Sequence, residues 1–380
     1  MKTIARIKKQ LLEEIEELKD EKGLIQAGFP RYSRFFGRDS LIASWQLLRV
    51  QPSVCRKTLE TLALLQGKKI DKQSEEEPGK IIHETDWRLR RHPKRKGFPF
   101  PYYGSVDSTP LFLIVFYFYF QKTKDRKFLK RYWKNMLAAL YWMEQYGDPD
   151  NDLFLEYQRK NPNGLYHQGW KDMPEKDLKI SSPIALVEVQ GYQYLALRYG
   201  ASFAKILQKN TLSKRFSERA KRLKKSFNQK FWVEKKGYFA FALDGRKKQQ
   251  TMITSNPGHL LFTGILDKNK EKQVVKRLFQ KDLWTSFGIR THSVKEPDFN
   301  TFSYQLGSIW PHDNWIIAQG LKKTGYKKEY QKIKKAILRA YQELGYLPEL
   351  YTVVDGEIAK IPIACYPQAW SSGALLNFLL

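Results

Sequence analysis

Residues 39–66 read DSLIASWQLLRVQPSVCRKTLETLALLQ and contain two stretches in which apolar residues recur at helical spacing, 39–51 and 53–66. The break between them is little more than Gln51-Pro52. Proline is well tolerated at the first position of a helix, because its missing N–H would have no partner there. Helices joined by so short a break are antiparallel neighbours. This part of the chain therefore predicts a helical hairpin.

The helical pattern recurs along the whole chain. The apolar stretches number twelve and fall at 2–21, 39–51, 53–66, 107–122, 125–146, 183–206, 212–231, 255–265, 268–281, 311–324, 327–345 and 367–380. Short breaks alternate with long connections, which fall at 22–38, 67–106, 147–182, 232–254, 282–310 and 346–366. Because successive helices alternate in direction, all the long connections emerge on one side, and such loops often carry binding and catalytic residues. The alternation predicts a helical toroid with one working face.

Composition indicates one globular domain. The 380 residues are 42% hydrophobic, which is enough for a large core, and no linker rich in Pro, Gly or Ser divides them. We therefore predict a single domain over residues 1–380. The longest apolar run, 111–120, is about half the length needed to cross a bilayer, so we predict no membrane span. Cys55 and Cys365 cannot form a disulfide framework, and this favours a cytoplasmic protein.

The net charge of +28 raises the possibility of nucleic-acid binding. Lys and Arg are most frequent at 6–9, 122–134, 205–236, 268–281 and 322–335. They fall mostly between apolar positions, which would place them on the outer surface of helices. No zinc-finger spacing, RNA-recognition signature or P-loop accompanies them. We predict no specific nucleic-acid partner, while weak attraction to polyanions stays open.

Two of the long loops each carry a carboxylate beside apolar or aromatic residues. One contains 169–172 (GWKD) and the other 347–350 (LPEL). Inverting hydrolysis of a glycosidic bond needs two carboxyl groups, one to protonate the leaving oxygen and one to activate water. An apolar wall such as Trp170 would favour the protonated form of Asp172, as an acid requires. The ordinary alternative is a loop cap for Asp172 and an exposed or hydrogen-bonded loop residue for Glu349.

Other residues of these loops are candidates for a sugar-binding pocket. Trp170, Trp310 and Trp370 could stack on sugar faces, while core packing is the usual role of tryptophan. We interpret His312 and Asp313 as a hydrogen-bonding wall, because no nucleophile motif accompanies them.

Glu188 is a candidate for lining a cavity, and residues 83–86 are a candidate for binding a metal. Glu188 lies in an almost wholly apolar segment, 183–190, so its carboxylate must be hydrogen-bonded or protonated. We expect it at the inner end of the cavity or in a structural pair. Residues 83–86 (HETD) have side chains that bind metals, but no second cluster completes a site. We predict no metal and no cofactor.

Six segments resemble motifs of the amylo-α-1,6-glucosidase, or glycogen-debranching, family. In the order of that family they are 35–40 (FFGRDS), 103–112 (YGSVDSTPLF), 169–172 (GWKD), 307–314 (GSIWPHDN), 347–350 (LPEL) and 366–370 (YPQAW). The resemblance implies an all-α fold, an (α/α)6 toroid with small β-hairpins in its long loops. It also implies an inverting glycoside hydrolase that releases glucose from the α-1,6-linked branches of an α-glucan.

The resemblance also implies roles for individual residues. Carried over by motif, Asp172 would be the general acid and Glu349 the general base. Arg38 and Asp39 resemble the pair that holds the sugar next to the cleaved bond. Without the resemblance, Asp39 would be interpreted as a helix N-cap and Arg38 as an exposed residue. The remaining residues that we assign to substrate binding are Asp107, Trp170, Lys171, Glu188, Trp310, His312, Asp313, Gln368 and Trp370.

The chain departs from this family pattern in two places. Met173-Pro174 follow the expected acid, where a small polar residue would be usual. We also expect no additional N-terminal sugar-binding domain, because only about 37 residues precede Arg38. Two alternatives stay open. One is a hydrolase of another small α-glycoside, such as trehalose or a glycosyl-glycerate, and the other is a carbohydrate- or polyanion-binding protein without catalysis.

Overall fold

The computed structural model describes residues 3–87, 97–173 and 178–380. Some predictions extend beyond these ranges: the start of the first predicted helix, parts of the loops predicted at 67–106 and 147–182, and Pro174 lie outside the described residues. The chain divides into two compact units. The first unit comprises Arg34–Lys230 and Ala242–Lys248, and the second comprises Met1–Ser33, Phe231–Phe241 and Gln249–Leu380. The single domain predicted over residues 1–380 stays a prediction.

Most of the regular structure is helical. The α-helices of the described residues are α1 (Ile4–Glu17), α2 (Gly37–Leu47), α3 (Pro52–Leu65), α4 (Ser108–Thr123), α5 (Arg126–Gln145), α6 (Val187–Ile206), α7 (Asn210–Lys230), α8 (Lys268–Leu278), α9 (Pro311–Thr324), α10 (Lys327–Leu344) and α11 (Ala369–Leu379). Eleven of the twelve predicted helices therefore occur as α-helices in the described ranges, with ends within about four residues of the prediction.

The remaining predicted helix, 255–265, is wrong in type. Asn256–Phe262 form a 3-10 helix, with Pro257 in its first turn. Gly264 follows with a φ of +83°, a left-handed conformation that ends a helix. The segment between this proline and this glycine is short, and 3-10 geometry is common in such connecting pieces. Apolar spacing alone does not distinguish the two kinds of helix.

Short antiparallel strand pairs lie in the connections between helices, as the sequence predicts. The strands are β1 (Phe35–Phe36), β2 (Glu84–Thr85), β3 (Ala185–Leu186), β4 (Trp232–Val233), β5 (Tyr238–Phe239), β6 (Ala242–Leu243), β7 (Gln249–Gln250), β8 (Trp284–Thr285), β9 (Gly288–Ile289), β10 (Tyr351–Val354) and β11 (Glu357–Lys360). In the first unit β1 pairs with β2 and β3 with β6. In the second unit β4 pairs with β5, β8 with β9 and β10 with β11.

Helices of the first unit pack in sequence order. α2 contacts α3 and α4, α4 contacts α5 and α6, and α6 contacts α7. α4 is apolar almost all round, as a helix in the interior of a protein requires. α7 instead buries one face through Phe216, Ala220, Leu223 and Phe227. Most of its Lys and Arg side chains therefore lie on the outer surface, as the sequence predicts.

The second unit brings the two ends of the chain together. α1 packs on α11, and α9 packs on α10, α11 and the 3-10 helix. Ile7, Leu11 and Ile15 form the buried face of α1. Glu14 of the same helix accepts a 2.6 Å hydrogen bond from the hydroxyl of Ser372 in α11. Among the described helices, none is both long enough and apolar enough to cross a membrane.

Candidate active site

Arg38 and Asp39 lie in the first turn of α2, directly after strand β1. The backbone N–H of Gly37 donates a 2.7 Å hydrogen bond to the carbonyl of His83, next to strand β2. A Cβ on Gly37 would overlap the carbonyl oxygen of Ile82, so only glycine allows this close approach. The strand pair therefore sets where α2 begins and where Arg38 points.

Arg38 connects two of the predicted site carboxylates. Its Nη1 donates to both oxygens of Asp107 at 2.9 Å, and its Nη2 donates to Oδ2 of Asp172 at 3.0 Å. Asp107 also accepts a 2.8 Å hydrogen bond from the hydroxyl of Ser105. Arg38 and Asp107 are buried, whereas the side chain of Asp172 keeps 28% of its exposure. A buried guanidinium needs such partners, so the three residues form one structural unit.

Burial raises the pKa of Asp172 to about 6, although the neighbouring charge of Arg38 acts in the opposite direction. The carboxylates of Asp107 and Glu84 raise this pKa further. A carboxyl group with this pKa keeps its proton at mildly acidic pH, which suits a general acid. An apolar wall such as Trp170 was expected to favour the protonated form of Asp172, and burial is the largest cause of its raised pKa.

The two residues before Asp172 are buried and contact one another. The Nζ of Lys171 lies 5.3 Å from the centre of the Trp170 ring, a distance typical of a cation–π contact. Gly169 precedes them, and a Cβ there would overlap the side chain of Leu186 at the end of β3. Their predicted roles in substrate binding stay predictions.

Contacts that the sequence analysis missed hold the loop that leads to Asp172. The carbonyl of Gln168 accepts a 2.9 Å hydrogen bond from the backbone N–H of Val106, next to Asp107. The side chain of Gln168 donates to Oε2 of Glu75 at 2.6 Å. His167 Nδ1 lies 3.0 Å from the hydroxyl of Tyr157. No local motif predicts these contacts: Gln168 and Glu75 are 93 positions apart, and Tyr157 and His167 are separated by ten.

Asp39 and Glu188 each lie in the first turn of a helix that directly follows a short strand. Asp39 is buried in the first turn of α2, and Glu188 is buried in the first turn of α6, directly after β3. The N-cap of α2 is Phe36, so the interpretation of Asp39 as an N-cap is wrong. The positive end of a helix dipole favours a carboxylate at such positions. Their roles in substrate binding stay predictions.

Residues 83–86, which the sequence analysis considered as metal ligands, have other partners. Glu84 forms an ion pair with Arg34. The ring of His83 packs edge-on against Phe36 and Tyr102, and burial lowers its pKa well below the usual range.

Glu349 lies in the second unit, in the loop before β10, and is only 1% exposed. Its Oε1 accepts hydrogen bonds from the hydroxyl of Tyr304 at 2.6 Å and from Nε2 of Gln368 at 3.2 Å. Its Oε2 accepts one from the backbone N–H of Cys365 at 3.0 Å. Three donors thus fix the orientation of the carboxylate, which is an arrangement suited to an ionised base.

Gln368 has a second function as the N-cap of α11. Its Oε1 accepts a 2.9 Å hydrogen bond from the N–H of Ala369, while its Nε2 donates to Glu349. Gly28 packs against this amide, and a Cβ there would lie 2.9 Å from Cδ of Gln368. Of the residues around Glu349, sequence reasoning found Gln368 but not Tyr304.

Trp310, His312 and Trp370 form one buried aromatic cluster in the second unit. The rings of His312 and Trp370 are stacked, with 3.7 Å between centroids, and Trp310 meets both edge-on. Nε1 of Trp310 donates to the carbonyl of Tyr304 at 2.9 Å. The cluster lies beside the residues that hold Glu349, and stacking of a sugar on it stays a prediction.

Asp313, next to His312, has a histidine partner of its own, and the interpretation of His312 and Asp313 as a hydrogen-bonding wall stays a prediction. Oδ1 of Asp313 lies 2.7 Å from Nε2 of His259, which the sequence analysis did not select. Both residues of this pair are buried. His259 belongs to the 3-10 helix, so the incorrect α-helical prediction there also hid this contact.

Most of the chain is similar in sequence to known glycoside hydrolases. Residues 39–371 match the family model described as mannosylglycerate hydrolase MGH1-like glycoside hydrolase domain. The mannosylglycerate hydrolase of Rubrobacter radiotolerans is 24% identical over 136 residues, which cover 34% of this chain and 30% of that protein. Mannosylglycerate hydrolase MGH1 of Selaginella moellendorffii is 28% identical over 75 residues, or 20% of this chain and 15% of that protein. The matched part thus spans less than a third of either relative.

Solved structures match nearly the whole chain. The GH63 mannosylglycerate hydrolase of Thermus thermophilus in complex with glucose aligns with a TM-score of 0.77 at 14% identity. The same enzyme with Tris and D-glycerate aligns with a TM-score of 0.76 at 15% identity. Each alignment covers 98% of this chain and 99% of the other. The predicted fold class, an all-α toroid of six hairpins, is confirmed, whereas the glycogen-debranching family is not supported.

Proposed function

We propose that this chain, which belongs to the mannosylglycerate hydrolase MGH1-like glycoside hydrolase domain family, is an inverting hydrolase of small α-linked glycosyl-glycerates. Mannosylglycerate is the first substrate to test, because both sequence relatives are named for its hydrolysis. This choice takes up the glycosyl-glycerate alternative from the sequence analysis in place of α-1,6-branched glucans.

The contact of Arg38 with Asp107 and Asp172 is the observation that carries the proposal. It positions a half-buried carboxyl group whose pKa lies near 6. In the proposed reaction, Asp172 gives its proton to the glycosidic oxygen, and the bond from that oxygen to the anomeric carbon breaks. The leaving group is the hydroxyl of glycerate.

Glu349 is the proposed general base. It takes a proton from water while the water oxygen bonds to the anomeric carbon from the face opposite the leaving group, so the configuration inverts. The three hydrogen bonds to its carboxylate support this role, because they orient an ionised group. Exchange of protons with solvent then restores both residues.

Charge also favours glycerate over a neutral polysaccharide. The chain has a net charge of +28, and a strongly positive protein attracts small anions and increases their rate of encounter. A glycosyl-glycerate carries one carboxylate, whereas a branched dextrin carries none. Hydrolysis of α-1,6-linked glucans remains the competing hypothesis.

Proton NMR with resolved anomers tests the proposal. The protein is incubated separately with mannosylglycerate, glucosylglycerate and an α-1,6-branched limit dextrin, and we expect β-mannose to appear first from mannosylglycerate. Asp172→Asn and Glu349→Gln should abolish turnover. The matched controls are Asp355→Asn and Glu357→Gln, which make the same changes at exposed positions of the β10–β11 hairpin.

The sugar released, and its anomer, distinguish the proposed function from its alternatives. Glucose from the dextrin alone would favour the debranching hypothesis. Early α-mannose would contradict the inverting mechanism. If no substrate is turned over, the alternative of a binding protein without catalysis gains support.

A further inference from the structure

Arg34 is a charged residue of the first unit that the proposed reaction does not use. It directly precedes β1, and Arg38, which donates to Asp172, directly follows the first residue of α2 on the other side of that strand. Residues two apart in extended backbone share a face, and the guanidinium of Arg34 accordingly lies over the ring of Phe36, 4.9 Å from its centre. The two arginines therefore flank one short strand.

Glu84 connects Arg34 to the surroundings of the proposed acid. It belongs to β2, which pairs with β1, and its Oε2 accepts a hydrogen bond from Nε of Arg34. Burial is the largest cause of the raised pKa of Asp172, and the charge of Glu84 adds to it. Burial, followed by the charges of Arg38 and Arg34, lowers the pKa of His83, the residue before Glu84. Both arginines and the acid thus lie around the same strand pair.

Arg34 differs from Arg38 in its access to solvent and in its partners. The side chain of Arg34 is 25% exposed and that of Asp172 28%, whereas Arg38 is only 3% exposed. Arg38 spends its Nη groups on Asp107 and Asp172. Among the described residues, Arg34 has one hydrogen-bond acceptor, Glu84, and that acceptor takes its Nε–H. Its two Nη groups therefore remain available to a ligand.

A guanidinium held in this way suits a carboxylate ligand. Its two Nη groups form a planar fork that can donate parallel hydrogen bonds to both oxygens of one carboxylate. The ion pair with Glu84 fixes the Nε edge of the fork. The rings of Phe36 and Phe100, whose centres lie 4.9 and 6.0 Å from the guanidinium carbon, fix its orientation further. A fork that is oriented before the ligand arrives loses less entropy on binding.

We propose that Arg34 binds the carboxylate of the glycerate leaving group and thereby selects acidic leaving groups over neutral ones. The inference rests on the proposed function, because it requires Asp172 to protonate the glycosidic oxygen. When glycerate is linked through its 2-hydroxyl, its carboxylate is on the carbon next to the one that carries this oxygen. A leaving group released beside Asp172 therefore needs a cation close to that residue, and Arg34 provides one with access to solvent.

A matched pair of substrates tests the proposal. Mannosylglycerate and mannosylglycerol differ in one group, a carboxylate in the first and a hydroxymethyl group in the second. We expect Arg34→Gln to lower kcat/KM for mannosylglycerate roughly 100-fold, mainly through KM, and to change it less than about threefold for mannosylglycerol. The unmodified chain should prefer mannosylglycerate by a similar factor. Arg34→Lys keeps the charge but not the fork, so its loss should be intermediate.

Arg56→Gln is the matched control. Nε of Arg56 donates to Glu60 at 3.1 Å and its guanidinium lies 4.8 Å from the centre of the Phe128 ring, so α3 repeats the surroundings of Arg34. This variant should leave kcat/KM unchanged for both substrates. Because Arg34→Gln deprives the buried carboxylate of Glu84 of its cation, Arg34→Gln combined with Glu84→Gln is measured as well. The double variant should lose the preference for mannosylglycerate in the same way, even if the single variant does not fold.

Turnover and binding separate this inference from the proposed function. If the unmodified chain hydrolyses mannosylglycerate and the Arg34 variants lose equal activity on both substrates, the role of Arg34 is overturned and the proposed function stands. If the unmodified chain hydrolyses neither substrate, the proposed function fails, and calorimetric titration with D-glycerate then tests the anion site by itself. Binding that the double variant abolishes and Arg56→Gln retains supports the site. D-glycerate that does not bind, or that binds the double variant equally well, overturns it.

Discussion

The hydroxyl of Tyr304 donates a 2.6 Å hydrogen bond to Oε1 of Glu349. Burial and the nearby carboxylate raise the pKa of Tyr304 well above its usual range, so the hydroxyl keeps its proton and remains a donor. The hydroxyl oxygen of Tyr304 also lies 3.2 Å from the hydroxyl of Tyr32. Tyr304, which itself contacts Tyr32, therefore helps to orient the base that we propose. No sequence motif predicts this contact.

Replacing Tyr304 by Phe should lower kcat more than it changes KM. A hydrogen bond to a charged group contributes about 1.5–3 kcal/mol, which corresponds to roughly a 10- to 100-fold loss. Tyr341→Phe is the control, since Tyr341 is also buried in the second unit and donates a 2.7 Å hydrogen bond to Gln10. Equal kcat losses in both variants would show that Tyr304 acts only through stability.

Activity should decrease as pH rises through about 6. Asp172 must be protonated to act as an acid, and burial raises its pKa to about 6. The fraction of competent enzyme therefore falls on the alkaline side of this value, and a profile of kcat/KM against pH measures it. A rate that rises steadily from pH 5 to pH 8 would contradict the assignment.

Asp107→Asn should move the pH at which kcat/KM falls on the alkaline side to a lower value. The charge of Asp107 raises the pKa of Asp172, and its removal also leaves Arg38 with less competition for Asp172. Both effects favour the ionised form of the acid. The shift is read from the same pH profile, and a fall that stays at the same pH or moves to a higher one would count against the proposed coupling.

Asp172→Asn should be inactive and yet more stable at pH 7. Because the folded pKa of Asp172 is about 6 and the unfolded value about 3.9, ionisation costs the folded state up to about 3 kcal/mol. The stability that protonated Asp172 gives the folded state is present below about pH 4 and is lost as pH rises from about 4 to 6. Thermal unfolding at pH 7 should therefore show a higher Tm for the variant, with little gain at pH 4. A variant that is less stable at pH 7 would disprove this.

Gly37→Ala should destabilise the first unit by more than about 3 kcal/mol, because the new Cβ would overlap the carbonyl of Ile82. Gly264→Ala is a suitable control, since no atom lies within 4 Å of a Cβ at that position and only the left-handed φ opposes the change. Urea unfolding compares the two. Similar free energies of unfolding would show that the segment around Ile82, just before β2, can move away from α2.

Much of the fold could be predicted from the sequence, because apolar spacing along a helix is a local property. The 3-10 helix that carries His259 was missed, since its few apolar residues fit an α-helical pattern equally well. The strand before α6 was also missed, because Ala185–Leu186 are apolar in the same way as the helix that follows.

The candidate site could be predicted only in part. Arg38, Asp107, Asp172 and Gln368 stand in recognisable motifs, so they were found. Tyr304 lies 45 positions from Glu349, and His259 lies 54 positions from Asp313. Such pairs depend on how distant helices pack, and a single sequence carries no local signal for them.

The double function of Gln368 has a consequence for how this site can change over evolutionary time. Its amide both starts α11 and holds the carboxylate of Glu349. Glutamate could accept the hydrogen bond of the helix but would set a second negative charge against Glu349, and leucine would lose both contacts. A lineage that keeps this start of α11 therefore also keeps the carboxylate of Glu349 oriented, whichever glycoside it comes to bind.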